Sequence, residues 1–169
     1  MKKILISGLI NVETTLAIDR FPIEYFPVRY PFYGVGSTIS GVGFNIAKAL
    51  AKLGDETALV SIIGNDMHRF QIYEALSNAG VDSRYVMETL TETPQSVILY
   101  SPDGRRQINV DLKDIQNQHY PTGVFNEALS QTELAVLCNI NFSRSYFTRA
   151  RSLGIPIATD VHSISSLDD

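Results

Sequence analysis

Gly41 and Gly43 open an apolar stretch, Val42 to Leu53, that Gly54 closes, and this stretch lies between short Ile-, Leu- and Val-rich runs at 3–10 and 57–63. Glycine at both ends of a helical pattern marks a tight entry and a left-handed exit. A helix bounded this way between two apolar strands is a crossover, and crossovers within one sheet make parallel strands with right-handed connections. From Gly43 to Leu53 the apolar residues cover most of the helix and leave Asn45, Lys48 and Lys52 as a narrow polar stripe, which predicts packing on a sheet. The near-continuous apolarity of 3–10 predicts a strand covered on both faces.

The alternation continues along the chain. Asn65 or Asp66 caps a helix with Phe70, Tyr73, Leu76 and Ala79 on one face, and Gly80 ends it. The rhythm then breaks. Gln95 to Tyr100 and Arg105 to Val110 read as strands joined by the turn Ser101-Pro102-Asp103-Gly104, which predicts a hairpin projecting from the sheet. Helix-like Val124 to Ser130, strand-like Leu134 to Ile140, helix-like Ser143 to Leu153 and strand-like Ile155 to Val161 restore the alternation. A short strand is expected at Thr14 to Ile18, and the Pro- and aromatic-rich segment 21–33 predicts an ordered loop with local edge pairing. The fold class is therefore α/β, a doubly wound sheet flanked by helices, with a β projection. A sheet that stops just after 155–161 keeps an open edge, so the sequence is expected to be the N-terminal part of a longer fold.

Composition narrows the function classes. The 169 residues are 44% hydrophobic, enough for one packed domain. Fourteen Lys and Arg against eighteen Asp and Glu give a net charge of −4 with no basic run, which argues against nucleic acid as a partner. Met1-Lys2-Lys3 and the following apolar residues imitate a secretion signal, but Asn11 and Glu13 interrupt it, and no run reaches membrane-spanning length. A cytoplasmic location without a membrane partner is expected. The single Cys138 sits in an apolar strand and reads as an inert buried thiol, and His68, His119 and His162 lack metal-ligand spacing, so no metal site is expected.

In open α/β sheets, ligands collect beyond the carboxyl ends of the strands. Asn11 and Glu13, Gly41 to Asn45, Asn65 and Asp66, Asn139 and Asn141, and Asp160 with His162 all fall there. Amides and carboxylates in such a place suit a polyhydroxylated small molecule. Asn65 and Asp66 have a competing reading as turn and cap residues, whereas Glu13 and Asn45 beside the glycines read as ligand contacts. Free N–H groups at the start of the glycine-opened helix are expected to meet the same ligand. Two nucleotide motifs fail: Gly36 to Gly41 has phosphate-loop spacing but Val42 replaces the Lys, and Gly41-Val42-Gly43 is followed by Ile46 where a third glycine belongs. Arg105 and Arg106 at the hairpin turn read either as solubility groups or as an attraction for a phosphorylated substrate.

Gly41-x-Gly43-x-Asn45-Ile46-Ala47, with Gly54 and Gly64 at their spacing, resembles the first signature of the ribokinase-like, or PfkB, carbohydrate kinase family, in its N-terminal half. Gly8 to Glu13, Gly64-Asn65-Asp66, Gly80-Val81-Asp82-Ser83 and Thr93 to Ile108 resemble other parts of that family, and the similarity covers about residues 2–162. The resemblance implies one ribokinase-like domain over 1–169, with lid segments at about 12–38 and 93–112. It implies transfer of the γ-phosphoryl of ATP, with Mg2+, to a hydroxyl of a sugar or nucleoside. Substrate contacts would come from Asn11, Glu13, Gly41, Val42, Gly43, Asn45 and Asn141, with Gln95, Val97, Leu99 and Ile108 on the lid, and a homodimer would form through the lid. Four positions depart from the family pattern: Glu13 stands for the usual Asp, Val42 for Gly or Lys, Arg69 for a small residue, and Asp160-Val161-His162 for Asp-Pro-Asn. The second family signature, a Gly-Ala-Gly-Asp element with the catalytic base, does not occur in this sequence. The resemblance therefore implies no catalytic residue and no ATP site in these 169 residues, which alone would be inactive. A non-catalytic sugar-binding or regulatory homologue is the alternative.

Overall fold

The computed structural model describes residues 1–161. Its central sheet contains β1 (Lys3–Ser7), β4 (Glu56–Gly64), β5 (Val81–Asp82), β6 (Val86–Leu90), β9 (Leu134–Leu137) and β10 (Ile157–Ala158). They run in the order β10-β9-β1-β4-β5, β6 also pairs with β4, and every pairing is parallel. On one face, α1 (Val42–Lys52) and α2 (His68–Ala79) cover Ile4, Ile6, Leu59 and Ile63. On the other, α3 (Thr122–Ser130), α4 (Asn141–Arg144) and α5 (Phe147–Ser152) close over Leu5, Val60 and Ile62. Alternate residues of β1 thus enter opposite cores, which explains why its sequence is apolar without alternation. Complete burial of side chains such as Leu5 and Ile6 contributes about 1.5–3 kcal/mol each.

A second sheet leaves the first. It is formed by β2 (Asn11–Ala17), β3 (Val35–Ser40), β7 (Gln95–Tyr100) and β8 (Arg106–Asp111), in the order β3-β2-β7-β8. The two outer pairings are antiparallel hairpins, and the central β2–β7 pairing is parallel. β7 and β8 lie within residues 93–112, while β2 starts one residue before the segment 12–38 and β3 ends two residues after it. The turn at 101–104 is held by Gly104 N–H donating to the Ser101 carbonyl at 3.0 Å, with Gly104 at φ 85.

Several element boundaries differ from the sequence reading for local reasons. β1 ends at Ser7 instead of residue 10, because Gly8 makes a direct backbone contact with α1, and β2 accordingly begins at Asn11 rather than Thr14. Val35–Ser40 forms the edge strand β3, which the sequence reading covered only as part of the lid segment at about 12–38; the Pro-rich segment before it folds on itself through Gly34 N–H to the Pro31 carbonyl at 2.8 Å. In α2, Ile72 and Leu76 enter the core while Phe70 is 67% exposed, with the Arg69 guanidinium 4.7 Å from its ring centre. The expected helix at 143–153 is two helices, broken where Tyr146 N–H takes a tighter bond to the Ser143 carbonyl and its ring stacks on Phe125 with centroids 3.7 Å apart. β9 stops at Leu137 and β10 spans only Ile157–Ala158, both shorter than expected.

Candidate functional site

The lid sheet arches over the carboxyl ends of β1 and β9, and between them lies a cleft of about 830 Å3. Asn11, Glu13, Gly41, Val42 and Asn45 all line it, together with Ser40, Ser96, Arg106, Ile108, Gln116 and Asn139. Asn45 and Glu13 therefore share one cavity although they come from different layers. Strand parity explains the lid's contribution. Glu13 lies opposite Ser96, and Ser96 opposite Val110, so these side chains point to one face. Ile98 and Ile108 are opposite each other and reach the same cleft.

The polar side chains are held unevenly. Asn11 is 4% exposed, and its Nδ2 donates to Ser96 Oγ at 3.1 Å, while its Oδ1 has no partner among the described residues. A buried amide oxygen without a donor costs about 1–3 kcal/mol unless something else supplies one. Asn45 Nδ2 donates to Ser40 Oγ at 3.2 Å, which aims its amide across the mouth of the cleft. Glu13 is half-buried.

The glycine-opened helix start has a different role from the expected one. A Cβ on Gly43 would sit 2.6 Å from the Gly8 carbonyl carbon, so the two glycines allow backbone to touch backbone. That contact brings Leu9 to the helix end, where its carbonyl accepts the N–H groups of Gly43 at 3.0 Å and Phe44 at 3.3 Å; Asn45 N–H donates to the Gly41 carbonyl. The amides of residues 43 to 45 are thus engaged within the protein and do not await a ligand. Gly41, at φ 104 with a would-be Cβ 2.5 Å from the Leu9 oxygen, fixes the same turn.

Other expected residues fall elsewhere. Asn141 does not line the cleft; its backbone N–H and its Nδ2 donate to Gln116 at 3.1 and 2.9 Å, bracing a residue that does. Gln95, Val97 and Leu99 occupy the odd positions of β7 and so face away from the cleft, which receives Ser96 and Ile98. Asp66 serves as a brace. Its carboxylate accepts Thr93 N–H at 2.7 Å, the Thr93 hydroxyl at 3.0 Å and His68 N–H at 3.0 Å, tying the end of β4 to the start of the lid's second segment. Burial pushes its acidity toward the neutral form, but these three donors outweigh burial and leave its pKa below the ordinary carboxylate value. Asn65 accepts from Arg69. Asp160 lies near Asn139, whose N–H it accepts at 3.4 Å, and His162 lies outside the described residues.

Sequence reasoning missed Ser96, Ile98 and Gln116, and left Arg106 undecided. The first two could have been found by counting strand parity from Glu13. Among the described residues no group of three or more His, Cys, Asp or Glu is placed to hold a metal, and Val35–Ser40, which includes the phosphate-loop-like spacing, is a β-strand. Cys138, packed against Gly8, has its thiol pushed up to about 12 by burial and then by the nearby Asp160 charge. No described helix is long and apolar enough to cross a membrane.

A parallel α/β sheet whose carboxyl edge is roofed by a two-hairpin lid places its cleft where ligands collect in folds of this class. The pfkB family carbohydrate kinase pattern matches residues 1–150, and the chain belongs to that family. It is 28% identical over 134 residues to the bifunctional ribokinase/ribose-5-phosphate isomerase A of Fructilactobacillus sanfranciscensis, an alignment covering 79% of this chain and 23% of that protein. Its fold matches a microbiome-derived acarbose kinase (TM-score 0.88, 19% identity, 99% of this chain and 55% of that one). It also matches Arabidopsis thaliana ribokinase, solved with ribose and ATP (TM-score 0.80, 23% identity, 98% and 55%). The chain thus spans little more than half the length of these kinase structures.

Proposed function

We propose that this chain forms the sugar-binding part of an ATP-dependent carbohydrate kinase, one that transfers the γ-phosphoryl group to a hydroxyl of a sugar or nucleoside. The observation that carries this reading is the unpartnered, buried Oδ1 of Asn11 inside a cleft that also holds Glu13 and Asn45. A sugar hydroxyl donates to Asn11 Oδ1, a second hydroxyl donates to the Glu13 carboxylate, and Asn45 supplies a further amide at the mouth. Val42 contributes an apolar contact, and Ile98 and Ile108 on the lid exclude water from above, which protects phosphoryl transfer from hydrolysis.

ATP with Mg2+ is the proposed donor, supported by family membership and by the ATP found in the Arabidopsis ribokinase structure. On this reading the groups that hold ATP and take the acceptor proton belong to the part of the relatives' length that this chain does not span, and the 169 residues alone bind sugar without turnover. A cytoplasmic location and a homodimer belong to the same reading. For the dimer, the outer lid face bears Val97 and Val35, 42% and 62% exposed, beside the aromatic loop at 25–33.

Thermal denaturation with a panel of sugars and nucleosides tests the proposal. A bound sugar at a hundred times its Kd stabilises by about 2.7 kcal/mol. The expected result is a raised midpoint with at least one sugar, none with ATP and Mg2+ alone, and loss of the sugar effect in Asn11→Ala. No stabilisation by any sugar or nucleoside overturns it.

A further inference from the structure

Among the described residues, the charged side chains that line the cleft are Glu13 and Arg106, and they stand at different places in it. Register sets their separation. Glu13 is opposite Ser96, Ser96 is opposite Val110, and Arg106 lies four residues before Val110 in β8. At strand spacing and rise, their Cα atoms are about 16 Å apart. No ion pair joins them, and among the described residues the Arg106 guanidinium has neither an ion pair nor a hydrogen bond.

Its neighbour shows that this is particular to Arg106. Arg105 lies on the turn, with its Nε 2.7 Å from the Asp103 carboxylate and its guanidinium 5.9 Å from the Phe21 ring centre. The alternation of β8 sends Arg106 to the cleft face with Ile108 and Val110. A guanidinium placed among apolar lid residues offers a planar fork of donors suited to a carboxylate or phosphate. Arg106 itself is exposed, as is all of β8, so its guanidinium stands at the open side of the cleft.

We propose that Arg106 is a specificity-determining residue and that the physiological substrate is an anionic sugar, its hydroxyl end held at Asn11, Glu13 and Asn45 and its anionic end under β8. This rests on the kinase reading and adds the substrate's charge to it. Glu13 repels an anion at the inner end and Arg106 attracts it at the outer end, so the cleft orients the substrate along its length. The anion is a carboxylate or a phosphate ester, which share this recognition chemistry.

Calorimetric titration with matched series separates these sources: glucose, gluconate and glucose 6-phosphate, and ribose, ribonate and ribose 5-phosphate. An anionic member is expected to bind at least 10-fold tighter than its neutral parent, with affinity that falls as salt rises from 50 to 300 mM. Arg106→Gln should weaken the anion about 10- to 100-fold, the range for hydrogen bonds to charged groups, and leave the neutral sugar unchanged. Arg106→Lys should retain an intermediate affinity. Which of the two anions responds identifies the group.

Equal loss for neutral and anionic sugars in Arg106→Gln would show a structural role and overturn the proposal. Neutral sugars that bind as well as or better than their anionic counterparts overturn it too, while leaving the kinase reading intact. Binding by no sugar of either charge removes both. The variant removes no recorded contact, so its melting temperature should equal that of the parent.

Discussion

Gly43 and Gly123 are both helical glycines, and the structure assigns opposite signs to the same substitution at the two sites. At Gly123, near the start of α3, an added Cβ meets nothing within 4 Å. Gly123→Ala should therefore gain the usual 0.5–1 kcal/mol or so, from higher helix propensity and a less free unfolded chain. At Gly43 the same methyl falls 2.6 Å from Gly8 C, 2.8 Å from Gly8 Cα and 2.9 Å from Gly8 O. All three are backbone atoms, so no side chain can turn aside. The helix must retreat from β1, loosening Phe44 and Ala47, which are 2% and 0% exposed, and stretching the two bonds to the Leu9 carbonyl. Overpacking costs about 1–3 kcal/mol, and the lost packing adds to it, against a propensity gain of about 1 kcal/mol. The net expectation is a loss of about 2 kcal/mol. In urea titration, with a slope of about 2 kcal/mol per molar, the midpoint of Gly43→Ala should fall by about 1 M while that of Gly123→Ala rises. If Gly43→Ala unfolds at or above the parent's midpoint, the direct Gly8–Gly43 contact is refuted, and with it the account of how Leu9 and Asn11 are positioned.

Asp66→Asn replaces an acceptor of three hydrogen bonds and should cost about 1–3 kcal/mol near neutral pH. Because the folded pKa of Asp66 lies below the unfolded value of 3.8, its contribution is complete above that value and fades as pH falls through the folded pKa. Denaturation of parent and variant between pH 6 and 3 should show the difference shrinking only toward the acid end; a constant difference contradicts the pairing. Cys138, with its thiol pushed up to about 12, should resist a thiol reagent in the folded protein and react once urea is added, whereas equal rates in both would place it at the surface. Ile72→Ala should lose about 2–4 kcal/mol and Phe70→Ala under about 1 kcal/mol, since one is fully buried and the other largely exposed. Comparable losses would restore the face of α2 expected from the sequence.

Features set by local chemistry were legible without coordinates. The turn at Pro102-Asp103-Gly104 and the left-handed Gly80 at the end of α2 are fixed by residues that tolerate such backbone, and the parallel strands follow from apolar runs separated by helices. The inner part of the cleft lies where the sequence suggested, because Asn11 and Glu13 come shortly after β1 and Asn45 sits in the first turn of the glycine-opened α1. Which face of the lid turns inward was not legible because both of its faces carry apolar residues: Ile98 and Ile108 inside, Val97 and Leu99 outside. A two-residue period then indicates a strand without indicating which side faces in. The engagement of the Gly43 and Phe44 amides depended on Gly8, a contact between residues far apart in sequence that no local pattern encodes.

The roof of the cleft is stitched along a single seam, the parallel pairing of β2 with β7, and the Asn11–Ser96 bond within it joins residues 85 positions apart. Each hairpin can close on its own as soon as it is synthesised, yet neither can find the other until nearly the whole segment between them has emerged and been wound into β4, α2 and β6. Closing so long an interval is slow compared with forming the local crossovers. On this topology the β2–β7 seam, and with it the cleft beneath, is expected to close after the local crossovers have formed.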